Sequence, residues 1–370
     1  MIKVNTLKLH ITKIHKLVTI SQIVLIGLLS AIFAQVLVNG SYDSLLSVLI
    51  VWITHISTVA LLVILLKYFF SWFRYNREIG VLSFTIAIAI ICVNLAFMLS
   101  YFTIESRDDP RYVTLFRGQT TQFSGPFNIY QQAYVLTYIL SFIATWCATV
   151  ILVHHYSKRI GRIKFWIIFS IPLIYFSLQY QTSLLEILLP FRMTNPVLFG
   201  IIYTLLFSAA KPIGGILAGV AFWTIAKSVN QAYIKYYMML SACGIMLLFS
   251  SNIGGRLVAP SFPPTELVVI SFMVLSSYYL MIGIYHSAVS VAQDTKLRRY
   301  VVQSKKSVEK QLGFLGSIGS SEMEQEIQKR VETITKNFVD KMERDTGIPP
   351  SLDENEIKEY IQMVIREKKE

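Results

Sequence analysis

One segment of the chain places a basic amine inside an otherwise apolar run. The run covers residues 197–226, and Lys211 lies near its middle, followed by Pro212, Gly214 and Gly215. A charged residue at the centre of a membrane helix costs about 2.5–3.5 kcal/mol, so it usually faces a polar cavity or a partner. Proline removes a backbone donor and glycine eases bending, which favours a broken or kinked helix. These residues therefore predict an intramembrane polar site.

Two interpretations of Lys211 remain open. The ammonium can line a ligand site or a transport path, or it can snorkel from a long tilted helix and bond freed carbonyls. The acidic residue nearest to it in expected depth is Glu186, in the outer part of the preceding apolar segment. We therefore predict a Glu186–Lys211 ion pair. A double-mutant cycle tests the pair, and additive effects would contradict it.

The chain carries no pattern for other chemistry. Cys92, Cys147 and Cys243 lie in separate apolar segments, which predicts neither disulfides nor a zinc site. The six histidines are scattered, and we expect His55 and His286, inside helices, to be hydrogen-bonded structural residues. No phosphate-binding loop or nucleophile motif occurs. We therefore expect no enzyme activity, no cofactor and no metal.

Eight long apolar segments must position Lys211. The chain is 54% hydrophobic and only 15% charged, unlike a soluble domain. Each segment reaches the roughly 20 residues that a helix needs to cross the hydrocarbon core, and backbone amides in lipid favour helices. We predict an all-α polytopic membrane bundle over residues 17–292. The segments are 17–39, 46–73, 79–103, 130–154, 164–189, 197–226, 235–254 and 266–292.

Basic residues predict the orientation of the bundle. Lys and Arg cluster in residues 1–16 and in every second connection, around 67–77, 158–164 and 227–235. Because such clusters favour the cytoplasmic side, we expect both termini in the cytoplasm of a multi-pass protein of the cell membrane. The net charge of +12 then indicates affinity for anionic headgroups and not for nucleic acid. A cleaved signal peptide would leave seven helices, but the first apolar stretch is longer than usual for one.

The longest connection, about 104–129, is predicted to lie outside the cell. It mixes both charges with aromatic and turn residues. Long loops on rigid scaffolds often bind ligands, and an inert connector is the alternative.

Residues 293–320 are predicted to form a juxtamembrane helix and a hinge. The helix is basic, and Gly313, Gly316 and Gly319 are expected to break it. A basic helix at this place can lie on anionic headgroups or project into the cytoplasm as a coiled coil. The residues expected to contact headgroups are Lys296, Arg298, Arg299, Lys305 and Lys306.

Residues 321–370 are predicted to form an amphipathic helical hairpin in the cytoplasm. Capping boxes begin at Ser321 and Ser351, and each is followed by an apolar stripe at helical spacing. Two short helices cannot easily form a core alone. We expect residues 321–368 to pack on each other, on a second copy or on a protein partner.

This plan, a helical membrane module followed by a helical tail, resembles the sensor halves of prokaryotic transmembrane signalling proteins. The resemblance is one of architecture, since no motif carries it. The leading hypothesis is a non-enzymatic sensor or adaptor that couples the bundle to a cytoplasmic partner. A small-molecule permease, suggested by Lys211, is the alternative. A further alternative is an accessory subunit of a membrane complex.

Overall fold

The described residues form a helical bundle with one short pair of strands. The computed structural model describes residues 2–105, 112–114, 129–154, 157–178, 209–229, 231–251, 265–294 and 311–346, with isolated positions between 187 and 202. The elements are α1 (Ile2–Asn39), β1 (Ser41–Asp43), α2 (Ser44–Tyr75), α3 (Ile79–Glu105), β2 (Tyr112–Thr114), α4 (Ile129–Val153), α5 (Ser157–Ile160), α6 (Arg162–Leu178), α7 (Ala210–Ser228), α8 (Ala232–Ser251), α9 (Thr265–Gln293) and α10 (Gln311–Thr346).

Six of the described helices are long and apolar enough to cross a membrane. They fall in α1, α2, α3, α4, α8 and α9, which confirms a helical membrane protein. The other two predicted spans correspond to α6 and α7, whose neighbouring residues lie largely outside the described ranges. Along α6, Ile163, Ile167, Ile171 and Ile174 are all exposed at spacings of three or four. Such an exposed apolar stripe is typical of a lipid-facing helix, but the number eight stays a prediction.

Small residues let α8 and α9 approach closely. A Cβ atom on Gly244 would lie 2.5 Å from the backbone nitrogen of Leu280, and Gly283 in turn faces Ser241. Close backbone approach of this kind is the usual packing mode between membrane helices, because lipid supplies no hydrophobic drive. Large side chains of several helices then fill the centre, where Leu62, Phe84 and other apolar residues line one small void.

The two strands tie the α1–α2 turn to the long connection after α3. β1 and β2 are antiparallel, with Tyr42 opposite Val113. The backbone amide of Asp43 donates to Gln35 Oε1 over 2.9 Å, and the Asp43 carboxylate caps α2 by accepting from the Leu45 amide. The remaining residues of the long connection, 106–111 and 115–128, lie outside the described ranges.

The largest correction concerns the tail. The predicted glycine hinge is wrong, because Gly313, Gly316 and Gly319 all lie inside the continuous helix α10. Ser321, the predicted cap of a new helix, is buried in the middle of α10. Gly319 is an interface residue, because a Cβ there would come closer than 3.0 Å to Val291 of α9. The second half of the predicted hairpin, residues 347–370, lies outside the described residues.

The first half of α10 packs into one end of the bundle. Its neighbours are the end of α2, the beginning of α3, the second half of α7 and the end of α9. We call this end the basic end, because Arg74, Arg77 and Lys227 lie there. The β1–β2 pair marks the opposite end.

Candidate functional site

Lys211 is buried in the half of the bundle away from the basic end. It is the second residue of α7 and only 2% exposed. Its Nζ lies 3.9 Å from the ring centroid of Tyr138 and 5.9 Å from that of Phe249. No residue that the structure describes accepts a hydrogen bond from Nζ. The amine is therefore enclosed by aromatic faces, which attract a cation but do not replace an oxygen acceptor.

A ladder of aromatic rings supports this arrangement. Tyr134 and Tyr138 of α4 are in ring contact, and the Tyr138 ring stacks on Phe176 of α6 with centroids 5.7 Å apart. Phe176 also stacks on Phe142, with centroids 3.8 Å apart and planes inclined by 3°. Tyr101, in the last turns of α3, continues the ladder by stacking on Tyr134. Rings from three helices thus fix the surface over which the ammonium lies.

The predicted proline and glycines have local roles at this site. Pro212 lies in the first turn of α7, where a missing backbone donor costs little. A Cβ atom on Gly214 would come closer than 3.0 Å to Phe142, and one on Gly215 would do so to Phe249. The glycines therefore let aromatic rings rest on the helix backbone. The predicted kink concerns the residues before Ala209, most of which are outside the described ranges.

Asn94 of α3 is bound to the same turn of α4. Its Nδ2 donates to the Tyr134 carbonyl and to Thr137 Oγ1, both over 3.2 Å. Its Oδ1 is buried and accepts no hydrogen bond from any described residue. One turn of α4, from Tyr134 to Tyr138, therefore brings together an unused amine and an unused amide oxygen.

A second group of unsatisfied polar atoms lies on α2. His55 Nδ1 donates to the Val51 carbonyl over 2.8 Å, which confirms the predicted hydrogen-bonded role of this histidine. His55 Nε2 and the hydroxyls of Thr54 and Thr58 have no hydrogen-bond partner within the described part of the chain. These three residues are fully buried and occupy one face of α2. His286 packs differently, with its ring stacked on that of Tyr237.

Other predicted site residues lie outside what the structure describes. Glu186 is one of them, so the Glu186–Lys211 pair stays a prediction. The same holds for the basic residues expected to contact lipid headgroups, Lys296, Arg298, Arg299, Lys305 and Lys306.

Sequence reasoning missed a polar seam between α2 and α10. Trp72 Nε1 donates to the Glu322 carboxylate over 2.9 Å, and the Ser321 hydroxyl donates to the Trp72 carbonyl over 3.0 Å. One turn further, the Tyr75 hydroxyl donates to Gln328 Oε1. The sequence does contain a pattern that indicates this contact. Large apolar and small residues are interspersed over 313–321, which is typical of close helix packing.

Among the described residues, no three His, Cys, Asp or Glu side chains come together as a metal site. No protein-family model, no curated protein and no solved structure matches this chain.

Proposed function

We propose that this protein is a membrane sensor or adaptor whose bundle is coupled to a protein partner through α10. The observation that carries the proposal is that the two halves of this helix lie in different environments. Its first half is part of the bundle interior, while its second half exposes apolar residues, with Ile327 43% and Ile334 67% exposed. A change in helix packing would therefore move a surface suited to binding a partner.

Support for mechanical coupling comes from the aromatic contacts of Phe314. Its ring lies 5.5 Å from Phe84 of α3, 6.3 Å from Phe69 of α2 and 6.3 Å from Phe222 of α7, measured between centroids. Leu315 and Ile318 are buried beside it. Because close-packed interiors are bistable and not continuously deformable, a shift of α2, α3 or α7 must be passed to α10 or break these contacts.

The orientation in the proposal rests on the Lys and Arg distribution. With both termini in the cytoplasm, the basic end and the second half of α10 face the cytoplasm, where a soluble partner or a second copy can bind. The outer loop and the Lys211 region then lie toward the cell exterior. The signal enters there, and the response leaves through residues 329–346.

A permease is the second candidate, and the unsatisfied amine of Lys211 is the observation that favours it. A transport path would have to reach both ends of the bundle. Between the Lys211 region and the basic end, the described interior is filled by the side chains of Leu62, Phe84, Phe222 and Phe314. Transport would therefore require α10 to leave the bundle, whereas sensing requires only that α10 shift.

The test is affinity purification from native membranes in mild detergent. Full-length protein is compared with a chain ending at Gln328, which keeps the embedded half of α10, and with one ending at Thr346 as the matched control. A specific partner that binds the longer chain but not the shorter one would support the proposal. Equal recovery from both, or no partner at all, would count against it.

Coupling is tested with two single variants. Ile334→Glu alters the exposed face and should abolish partner binding at unchanged stability. Residue 314 lies inside the bundle and cannot touch a partner. Altered partner binding by Phe314→Ala would therefore show that the bundle controls the tail. Wild-type partner binding by Phe314→Ala would mean that α10 is only a tether.

A further inference from the structure

We infer that Lys211 is the anchor of a binding site for a monocarboxylate with an apolar or aromatic body. The inference deepens the proposed function, because such a ligand would be the signal that the bundle receives. It begins from an amine that is only 2% exposed and that finds no acceptor among the described residues. A buried charge persists where something compensates it, and an anion is the direct complement.

The charge of the site selects the charge of the ligand. Among the described residues, the rings of Tyr138 and Phe249 face Lys211 Nζ, and neither carries a formal charge. One cation in an apolar setting balances one negative charge, whereas a phosphate monoester, with a charge of about −1.5 to −2 at neutral pH, would leave negative charge unbalanced. A carboxylate accepts the N–H groups of an ammonium through charge-assisted hydrogen bonds, which are stronger than neutral ones.

The surroundings select the body of the ligand. Phe142 and Phe249 pack directly against the α7 backbone at Gly214 and Gly215, and Phe176 stacks on Phe142, so an aromatic wall lies beside the first turn of α7. Ligand sites of this type are mostly apolar, with a few polar groups that fix orientation. Asn94 Oδ1, unused beside the same turn of α4, can accept from an O–H or N–H group on the ligand.

A matched control residue lies on the same helix. Lys227, in the last turn of α7, also lies over an aromatic ring, with Nζ 4.4 Å from the centroid of Trp223. Unlike Lys211, its side chain is exposed. The two lysines therefore share helix, charge and ring contact, and they differ in burial.

The experiment measures equilibrium binding to the full chain in lipid nanodiscs. Phenylacetate, added in water, and oleate, added to the nanodisc lipid, distinguish a soluble ligand from a lipid-derived one. Phenylacetamide, which has the shape of phenylacetate without its charge, is the chemical control. We expect saturable binding of one carboxylate, binding at least tenfold weaker to Lys211→Met, and unchanged binding to Lys227→Met.

Several outcomes would overturn the inference. They are equal binding by Lys211→Met, equal binding of phenylacetamide, and no binding of either carboxylate to the wild-type protein. Carboxylate binding that appears only in Glu186→Gln would also overturn it, because Glu186 would then already occupy the amine. If Lys211→Met does not fold, Tyr138→Leu replaces it, since removal of the ring face should weaken carboxylate binding by a similar factor.

A second readout separates this inference from the proposed function. Hydrogen exchange of the α10 amides is followed with and without the bound carboxylate. Binding with altered exchange in α10 supports both the site and the sensor. Binding without any change in α10 supports the site and contradicts the sensor.

Discussion

Two buried polar regions of the bundle differ in how completely their groups are paired. In the seam between α2 and α10, at the basic end, the indole of Trp72, the Glu322 carboxylate and the Ser321 hydroxyl take part in hydrogen bonds. Two other groups of α10, Ser317 Oγ and Gln325 Nε2, have no partner among the described residues. In the other half, Lys211 Nζ and Asn94 Oδ1 find no hydrogen-bond partner among the described residues. Paired groups stabilise a helix interface, whereas unpaired ones cost stability.

We use this difference to separate buried polar groups that hold helices together from buried polar groups that bind a ligand in our proposal. A buried group that stays unpaired at a cost in stability is a candidate for a functional role. The hydrogen bonds of the α2–α10 seam hold the first half of α10 in the bundle, and the Lys211 region is our proposed ligand site. Four measurements test that division, beginning with the largest expected effect. Each compares free energies of unfolding, obtained by titration with SDS in bicelles.

Phe314→Ala should lower the free energy of unfolding by about 3–5 kcal/mol, the usual cost of removing a buried phenyl group from a packed core. The ring contacts Phe69, Phe84 and Phe222, so its loss opens the junction between α10 and the bundle. Ile334→Ala, on the exposed half of α10, is the control and should stay within about 0.5 kcal/mol of wild type. Similar small effects for both variants would show that α10 is not embedded.

Lys211→Met should raise the free energy of unfolding by about 3 kcal/mol, because a buried donor without an acceptor costs up to that amount, and more when it is charged. The substitution keeps the length of the side chain and removes an amine without an acceptor among the described residues. Lys227→Met should change little. If Lys211 instead pairs with Glu186, the variant should lose about 3–5 kcal/mol, because a buried carboxylate would be left alone.

Trp72→Phe should lower the free energy of unfolding by about 1.5–3 kcal/mol, the value of a hydrogen bond to a charged group. The ring is largely retained, but Glu322 loses the N–H that it accepts over 2.9 Å. A double-mutant cycle with Glu322→Gln isolates this bond. Strictly additive effects of the two substitutions would mean that Trp72 and Glu322 do not stabilise each other.

Gly319→Ala should cost about 1–3 kcal/mol, because the added methyl group would overlap Val291 of α9. Gly313→Ala is the matched substitution in the same helix. Its methyl group would meet Glu78 at 3.6 Å, an ordinary contact, so helix propensity should dominate and raise stability by up to about 1 kcal/mol. A gain of stability in both variants would mean that packing does not require a glycine at position 319.

The sequence predicted the membrane helices because continuous apolar length is a local property. Lys211 could be singled out for the same reason, since a lysine in an apolar run stands out without any knowledge of its neighbours. Its burial against Tyr138 could not be predicted, because that contact joins residues far apart in the chain. The spacing of residues says nothing about which helices become neighbours.

The tail shows where local patterns mislead. Gly313, Gly316 and Gly319 have low helix propensity, and Ser321 begins a capping box, so every local signal favoured a break. Packing of α10 against α9 and α2 overrides those preferences: Gly319 lies too close to Val291 for a larger residue, and Ser321 donates a hydrogen bond to the Trp72 carbonyl. Local propensity alone cannot tell a flexible glycine from one that lets two helices touch.

The embedded half of α10 also has a consequence for biogenesis. Its binding surface is made jointly by α2, α3, α7 and α9, all of which precede it in the chain. The first half of α10 can pack against the bundle only after those segments have been inserted and assembled. A packed α10 therefore indicates that the bundle is complete. Until then, the apolar segment that contains Phe314, Leu315 and Ile318 remains exposed, where chaperones can bind it and proteases can cleave it. Incorrectly assembled copies should accordingly be cleaved near these residues, and limited proteolysis during synthesis would reveal it.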